Sequence, residues 1–387
     1  MRAVVEGRLP NTSESFGRHI DRCLGCRACE QVCPAGVQYG QLLEASRHEL
    51  LRAQPKHDLT HKLLRFALQH IWTSPARLSA AFAGSRILRD SGLVRALLKS
   101  GVAKLFSARA HFALALLHSS RAQVKAVGSR PQQTFSEKSD RFSASVMLFE
   151  GCVGEGLFAR VNNATKRVLQ ANGFSVSTPA TQVCCGALHA HAGDLEGARK
   201  LAQQNIEAFG LSDTPIVTNA GGCGAMLASY GHLLHDDEAT RFSARVKDVG
   251  QQLETKELVH GASLDQACTT YDTSCHLLYG QHAGEASLRM LQAIPGLNFK
   301  SLEGAERCCG GAGIYNLLEP DLSEKVLGEK LQNIEATGAT LLATGNPGCQ
   351  MQIGAGACLH GMSLEVCHPV ELLDESYQRA GLYKKEN

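Results

Sequence analysis

Three cysteines at three-residue spacing, Cys23, Cys26 and Cys29, are followed four residues later by Cys33 and then by Pro34. Thiolates in this run hold a 4Fe-4S cube in bacterial-type ferredoxins. Structural zinc usually joins two Cys-x-x-Cys halves across a longer loop, and a terminal Cys-Pro is not part of that pattern. In two-cluster ferredoxins the last cysteine of each run serves the other cluster, yet only one such run occurs here. Three arrangements follow: Cys33 closes its own cube, a cysteine from elsewhere closes it, or part of the arrangement is missing.

A second set of cysteines is duplicated. Cys152 precedes the pair Cys184-Cys185-Gly186 by 32 residues, and Cys223 follows in Gly222-Cys223-Gly224. Downstream, Cys275 precedes Cys308-Cys309-Gly310 by 33, and Cys349 completes the copy. Equivalent cysteines are 123, 124 and 126 residues apart, so the copies stay in register. A repeat of this length marks two copies of one structural unit. Vicinal cysteines rarely bond to each other, because disulfide geometry is narrow. Joined by two more distant thiols, they suit a compact multi-iron cluster. Glycines beside them let backbone approach closely, and helix amino ends nearby favour thiolate. Buried cysteines can also simply pack as small hydrophobes, but eight in a duplicated order argue against that. His189, His191, His276 and His368 lie near these cysteines and receive no chemical role. Cys268, Cys358 and Cys367 remain as structural residues or as a source of the missing ligand.

The elements that position the thiols can be read from apolar runs. Val146–Phe149, Phe174–Val176, Ile216–Thr218, Thr269–Tyr271, Leu297–Phe299, Thr340–Ala343 and Leu364–Val366 predict strands. Helical patterns alternate with them, for example over Leu195 to Phe209. Strand and helix in alternation predict parallel sheets flanked by helices, with ligands beyond the carboxyl ends of the strands. The expected fold class is therefore α/β: two tandem parallel-sheet cysteine-rich modules behind an N-terminal ferredoxin-like α-helical segment. The expected division is 1–40 for the ferredoxin-type segment and 41–144 for a basic helical connector. Residues 145–262 form the first module and 263–387 the second. Within the connector, Pro55, Pro75 and Gly101 break the pattern into short helices, and 129–144 reads as a polar linker.

Composition limits the function classes. The net charge of +2 conceals an asymmetry: residues 40–131 carry 15 Lys plus Arg against 4 Asp plus Glu. Arg86, Arg89, Arg95, Lys99 and Lys104 fall between apolar residues, which predicts a surface able to meet anionic lipid or an acidic partner, or else an ordinary solvated helical face. No interleaved aromatics or motif point to nucleic acid. Fifteen cysteines in a long chain without an apolar leader suggest a reducing, cytoplasmic setting in which cysteines hold metal. No dinucleotide fingerprint and no nucleophile-base-acid pattern appear, so no catalytic residue is assigned.

At this point the chain is similar to a known family. Cys23-Leu24-Gly25-Cys26-Arg27-Ala28-Cys29, Cys184-Cys185-Gly186-Ala187-Leu188-His189, Gly222-Cys223-Gly224-Ala225-Met226 and Cys308-Cys309-Gly310-Gly311-Ala312-Gly313 resemble the iron-sulfur subunits of glycolate oxidase over nearly the entire chain. The resemblance implies a complex in which an FAD-containing partner subunit oxidises glycolate to glyoxylate. This chain would pass the electrons toward a membrane quinone, with peripheral attachment to the inner face of the membrane. It also implies iron-sulfur ligation by the ferredoxin-type run and by both four-cysteine sets. Two departures stand out. The family usually carries two ferredoxin-type runs, so the resemblance implies a late start at Met1 or an absent cluster. Related heterodisulfide reductases have Cys-x-x-Cys where Ala220 and Asn346 stand here, which removes the fifth thiol tied to their noncubane clusters. The rival readings are a lactate-oxidising complex, a heterodisulfide-reductase-like catalytic subunit, and a non-redox zinc protein.

Overall fold

The computed structural model describes residues 1–53, 58–121, 142–265 and 267–383. Two four-stranded, all-parallel sheets carry the duplication. The first has the order β2-β1-β3-β4, with β1 at Ala144–Phe149, β2 at Phe174–Ser177, β3 at Ile216–Thr218 and β4 at Val246–Asp248. The second repeats it as β6-β5-β7-β8, with β5 at Thr269–Asp272, β6 at Phe299–Lys300, β7 at Leu341–Thr344 and β8 at Glu365–Cys367. Each sheet is built outward from its first strand: β1 pairs with β2 through Val146↔Val176 and with β3 through Leu148↔Val217. The chain therefore reverses its direction of winding between β1 and β3, and again between β5 and β7. Such switch points open the crevice where α/β sheets bind ligands.

The strands β1, β2, β3, β5, β7 and β8 fall where their apolar runs predict them, within a residue or two. Strand β6 begins two residues later than expected. Strand β4 was not anticipated, because Val246-Lys247-Asp248 has no apolar run; it forms as an edge paired through Ile216↔Val246.

The two sheets are not separately filled. One apolar cluster runs from Val146, Leu148 and Val168 through Val217 and Val249 to Leu291, Leu341, Val370 and Tyr377. A bidentate pair joins the halves across it, Arg167 to Asp374 at 2.9 and 2.6 Å. Gly221 and Gly224 lie so close to Leu277 and Gln281 that a Cβ on either would collide, at 2.9 and 2.1 Å. Their smallness serves contact between the modules.

The connector is a chain of short helices, including Leu59–Phe66, Pro75–Asp90, Leu93–Ser100 and Ala108–Ser119. Pro75 sits in the first turn of its helix and Gly101 takes φ 68° between two others, as the sequence leads one to expect. Ala108–Ser119 packs on Pro347–Leu359, where the Ser119 hydroxyl donates to the Met351 carbonyl at 2.9 Å. The basic residues divide. Arg86 donates to the Gly156 carbonyl at 2.7 Å, and Arg89 pairs with Asp90 and reaches Ser120. Both tie the connector down, whereas Arg95, Lys99 and Lys104 remain exposed. The expected linker 129–144 lies outside the described residues up to 141, as does Pro55, and Ala144 already belongs to β1. Among the described residues no helix is long and apolar enough to cross a membrane.

At the N-terminus, Phe16 and Ile20 of the helix Glu14–Asp21 bury against Leu43 of the helix Tyr39–Ala53. This segment is pinned to both modules. Arg47 donates to the carbonyls of Cys23 (2.6 Å) and His191 (3.1 Å), and the Tyr315 hydroxyl donates to the Arg22 carbonyl at 2.9 Å.

Candidate metal centres

Each thiol of the duplicated sets comes from a loop or helix start beyond a strand end. In the first module, β1 ends at Phe149, Gly151 turns the chain at φ 69°, and Cys152 opens the helix Cys152–Ala171. Cys184 and Cys185 occupy the loop after β2, and Cys223 lies in the first turn of Gly221–Leu227 after β3. In the second, Cys275 follows β5, Cys308 and Cys309 follow β6, and Cys349 lies in the first turn of Pro347–Leu359 after β7. Helix amino termini thus face both crevices, where their partial positive charge favours thiolate.

The glycine after each vicinal pair is required twice over. Gly186 has φ 86° and Gly310 φ 84°, a region that disfavours other residues. A Cβ on Gly186 would press on the Ala198 backbone at 3.2 Å, and one on Gly310 would strike the Ser323 carbonyl at 2.7 Å.

In both modules the four sulfurs gather. Cys152 Sγ lies 3.4 Å from Cys184 Sγ, and Cys185 interacts with Cys184 and Cys223. Cys309 Sγ lies 3.3 Å from Cys349 Sγ, with Cys275 in contact with Cys308. Hydrogen bonding to Cys184, then burial, pushes the Cys152 thiol well above its ordinary value; pairing with Cys309, then burial, does the same to Cys349. Thiols so crowded cannot all ionise unless cations bind among them. All fifteen cysteines are free of disulfides. Among the described residues, no three Cys, His, Asp or Glu side chains close around one point tightly enough for a single metal ion. Two sets of four soft donors at crevices beyond the strand ends fit a multinuclear iron-sulfur group.

The sites differ in support. At the first, Asn205 donates to the Cys184 carbonyl and to Tyr230, whose hydroxyl donates to the Cys185 carbonyl, at 3.0, 3.0 and 2.9 Å. A cavity of about 530 Å³ reaches Cys152 and Cys184 between Phe82 and Lys166. At the second, all four cysteines are buried. A buried ion pair, Lys330 to Asp272 at 2.7 Å, lies against them. Burial works against the Lys330 charge, but Asp272 and the thiols of Cys309 and Cys349 outweigh it and hold the ammonium above its ordinary range.

The N-terminal run is partly gathered. Burial, then the charges of Cys26 and Cys23, raise the Cys29 thiol, so these three are neighbours. The Cys33 sulfur instead faces the amides of Val37, Ala35 and Gly36, which hold it below its ordinary value. Cys26 also stands among the charges that raise the Cys275 thiol, so the run borders the second site. Cys275 Sγ is 3.5 Å from His276 Nδ1, and burial, with His191 and Arg27, lowers that imidazole to about 3 and keeps it neutral. Of the remaining cysteines, Cys367 is buried in the shared core, Cys358 is exposed and Cys268 is half-buried.

Residues that spacing did not single out connect the sites. Asn346 donates from Nδ2 to Cys349 Sγ at 3.4 Å and accepts on Oδ1 from the Gly222 amide, beside Cys223, at 3.2 Å. Next to it, the Gly221 amide donates to the Gly345 carbonyl at 2.9 Å. The departure noted at position 346 was the available signal; Lys330, inside a helix, gave none.

Comparison with known proteins accords with this geometry. Residues 146–228 and 269–354 match the cysteine-rich domain family. The chain is 37% identical to the "probable glycolate oxidase iron-sulfur subunit" of Bacillus subtilis (strain 168), over 98% of this chain and 86% of that one. It is 27% identical to the glycolate oxidase iron-sulfur subunit of Escherichia coli (strain K12) over the same shares. "Lactate utilization protein A" of Shouchella clausii is 33% identical over 59% of this chain and 98% of its own length.

Proposed function

Since the chain belongs to the family of glycolate oxidase iron-sulfur subunits, we propose that it conducts electrons from an FAD-containing partner subunit, which oxidises glycolate to glyoxylate, toward a membrane quinone. The observation that supports this most is the twofold gathering of four thiols at β1/β3 and β5/β7, with Cys26 bordering the second set. In this reading Cys152, Cys184, Cys185 and Cys223 hold one iron-sulfur cluster, and Cys275, Cys308, Cys309 and Cys349 another. Cys23, Cys26, Cys29 and Cys33 hold a 4Fe-4S cube. Bound there, such groups supply reversible one-electron storage. The chain's own residues fix the rest. Asn205 and Tyr230 orient the Cys184-Cys185 backbone, and Lys330 offsets negative charge at the second set.

Low-temperature EPR of anaerobically purified, dithionite-reduced protein tests the reading, with iron-sulfur signals expected; zinc without paramagnetic iron would end it. Glycolate-dependent dye reduction by the complex, and none by this chain alone, is expected. The partial match to a lactate utilization protein supports a second reading, a lactate-oxidising complex. Running lactate beside glycolate in the same assay decides between them.

A further inference from the structure

Between the N-terminal helices, the connector and both modules lies a mainly apolar cavity of about 190 Å³. We propose that it binds the head group of a quinone, the electron acceptor of this chain. The inference rests on the electron-transfer reading above and adds to it the place where the acceptor sits.

Size and lining set the ligand class. An apolar cavity of about 150 Å³ takes a benzene ring, so this one accommodates a substituted six-membered ring. Leu64, Leu68 and Leu318 supply apolar wall, while Arg47, His61 and His191 bring nitrogen to it. A flat ring bearing carbonyl oxygens matches apolar faces with donors at the edge. The carboxylates of Asp21, Asp194 and Glu319 also line the space.

Position argues for a redox ligand. Arg47 bonds the Cys23 carbonyl. The His191 ring lies 5.3 Å from the His276 ring, which contacts Cys275. The wall from Ala312 to Tyr315 begins three residues after Cys309. The cavity therefore touches the surroundings of the N-terminal run and of the second cysteine set together. A quinone becomes a quinol by taking two electrons and two protons. The electrons come from the hydroxy acid, whose oxidation releases two, and the protons come from water through the carboxylates and His61, whose Nδ1 is held by Asp58.

The helix Leu59–Phe66 accounts for access. His61, Leu64 and Arg65 face the cavity, whereas Leu59, Leu63 and Phe66 form an outward apolar row, 70, 58 and 57% exposed. Apolar groups on both faces of one short helix suit an element lying at a lipid surface, with the head group on one side and the bilayer on the other.

Calorimetric titration of the full, cluster-loaded chain with decylubiquinone is expected to give one saturable site. Leu64→Trp and Leu318→Trp, which fill the cavity from two walls, are each expected to weaken binding at least tenfold. They should slow reoxidation of the reduced chain by decylubiquinone to a similar degree and leave reoxidation by ferricyanide unchanged. No saturable binding, or full binding by both variants, overturns the proposal. Should both variants fail to fold, protection of His61 from diethyl pyrocarbonate by decylubiquinone in the unaltered chain decides, and absence of protection is fatal. Loss of all iron-sulfur EPR signals would instead sink the underlying reading, so the two failures are distinguishable.

Discussion

The two cysteine sites descend from one pattern, yet they handle charge differently. Strand β1 ends in Phe149 and strand β5 in Asp272, at matching register opposite Thr218 and Thr344. On the helix after each vicinal pair, Gly186 touches Ala198 and Gly310 touches Ser323, an offset of 125 that puts Lys330 in the place of Asn205. The first site is thus braced by neutral amide and phenol groups and opens to a cavity. The second is sealed and has an ammonium-carboxylate pair against it. A positive charge near a cluster stabilises its reduced, more negative state, and low local dielectric enlarges the effect. Duplication preserved the cysteines while the backing residues diverged, so the lesson is that one donor pattern can be set in two electrostatic surroundings.

The sharpest break in the comparison is removal of a ligand. Cys185→Ser is expected to abolish the EPR signal of the first site and leave the second, and Cys309→Ser the reverse; iron analysis checks both. Loss of both signals in either variant would mean the sites do not load independently.

Next in size is Lys330→Met. Breaking a buried ion pair from one side costs about 3–5 kcal/mol, because Asp272 is left unpaired. A denaturant titration should read that loss. The potential of the second site should fall by on the order of 100 mV, following Coulomb attraction at an effective dielectric near 20. Redox titration followed by EPR should find the first site unmoved.

The fourth strands supply a contrast in pH. Asp248 caps the helix after β4 and His368 the helix after β8, each in a capping box. Burial raises the Asp248 carboxyl to about 7, and burial lowers the His368 imidazole to about 3. An acid raised on folding contributes stability below its unfolded value, near 3.8, and loses it as pH climbs to about 7. A base lowered on folding contributes above 6.5 and loses it as pH falls toward 3. Asp248→Asn should therefore stabilise the chain at pH 8 relative to pH 5, and His368→Asn should relieve acid instability between pH 6.5 and 4. Each change is about 2–4 kcal/mol, measurable by thermal unfolding across pH.

The smallest expected effect is that of Asn346→Ala. It removes one hydrogen bond to the Cys349 sulfur. About 1 kcal/mol of differential stabilisation corresponds to about 40 mV for one electron, in the negative direction at the second site.

Much of this comparison was legible in the chain. Strands such as Val146–Phe149 announce themselves by apolar runs, and twelve cysteines by spacing, because both signals are local. The edge strand Val246-Lys247-Asp248 was not, since its pairing depends on β3 rather than on its own composition. Nor was the Lys330–Asp272 pair, whose members are 58 residues apart and meaningful only when packed. The approach of Cys26 to Cys275 is longer in range still, and nothing in either motif encodes it. The Arg86 and Arg89 side chains mislead in the opposite sense. They look like free surface charge until their acceptors, the Gly156 carbonyl and Ser120, are in place.

The collision-tight seam of Gly221 and Gly224 against Leu277 and Gln281 has a kinetic meaning. Carriers whose halves swing must diffuse through solvent on every turnover, and thickening the medium slows them. Here the two sites are locked at a fixed separation by continuous packing, so passage between them is expected to be indifferent to glycerol, with drag confined to encounters with other molecules.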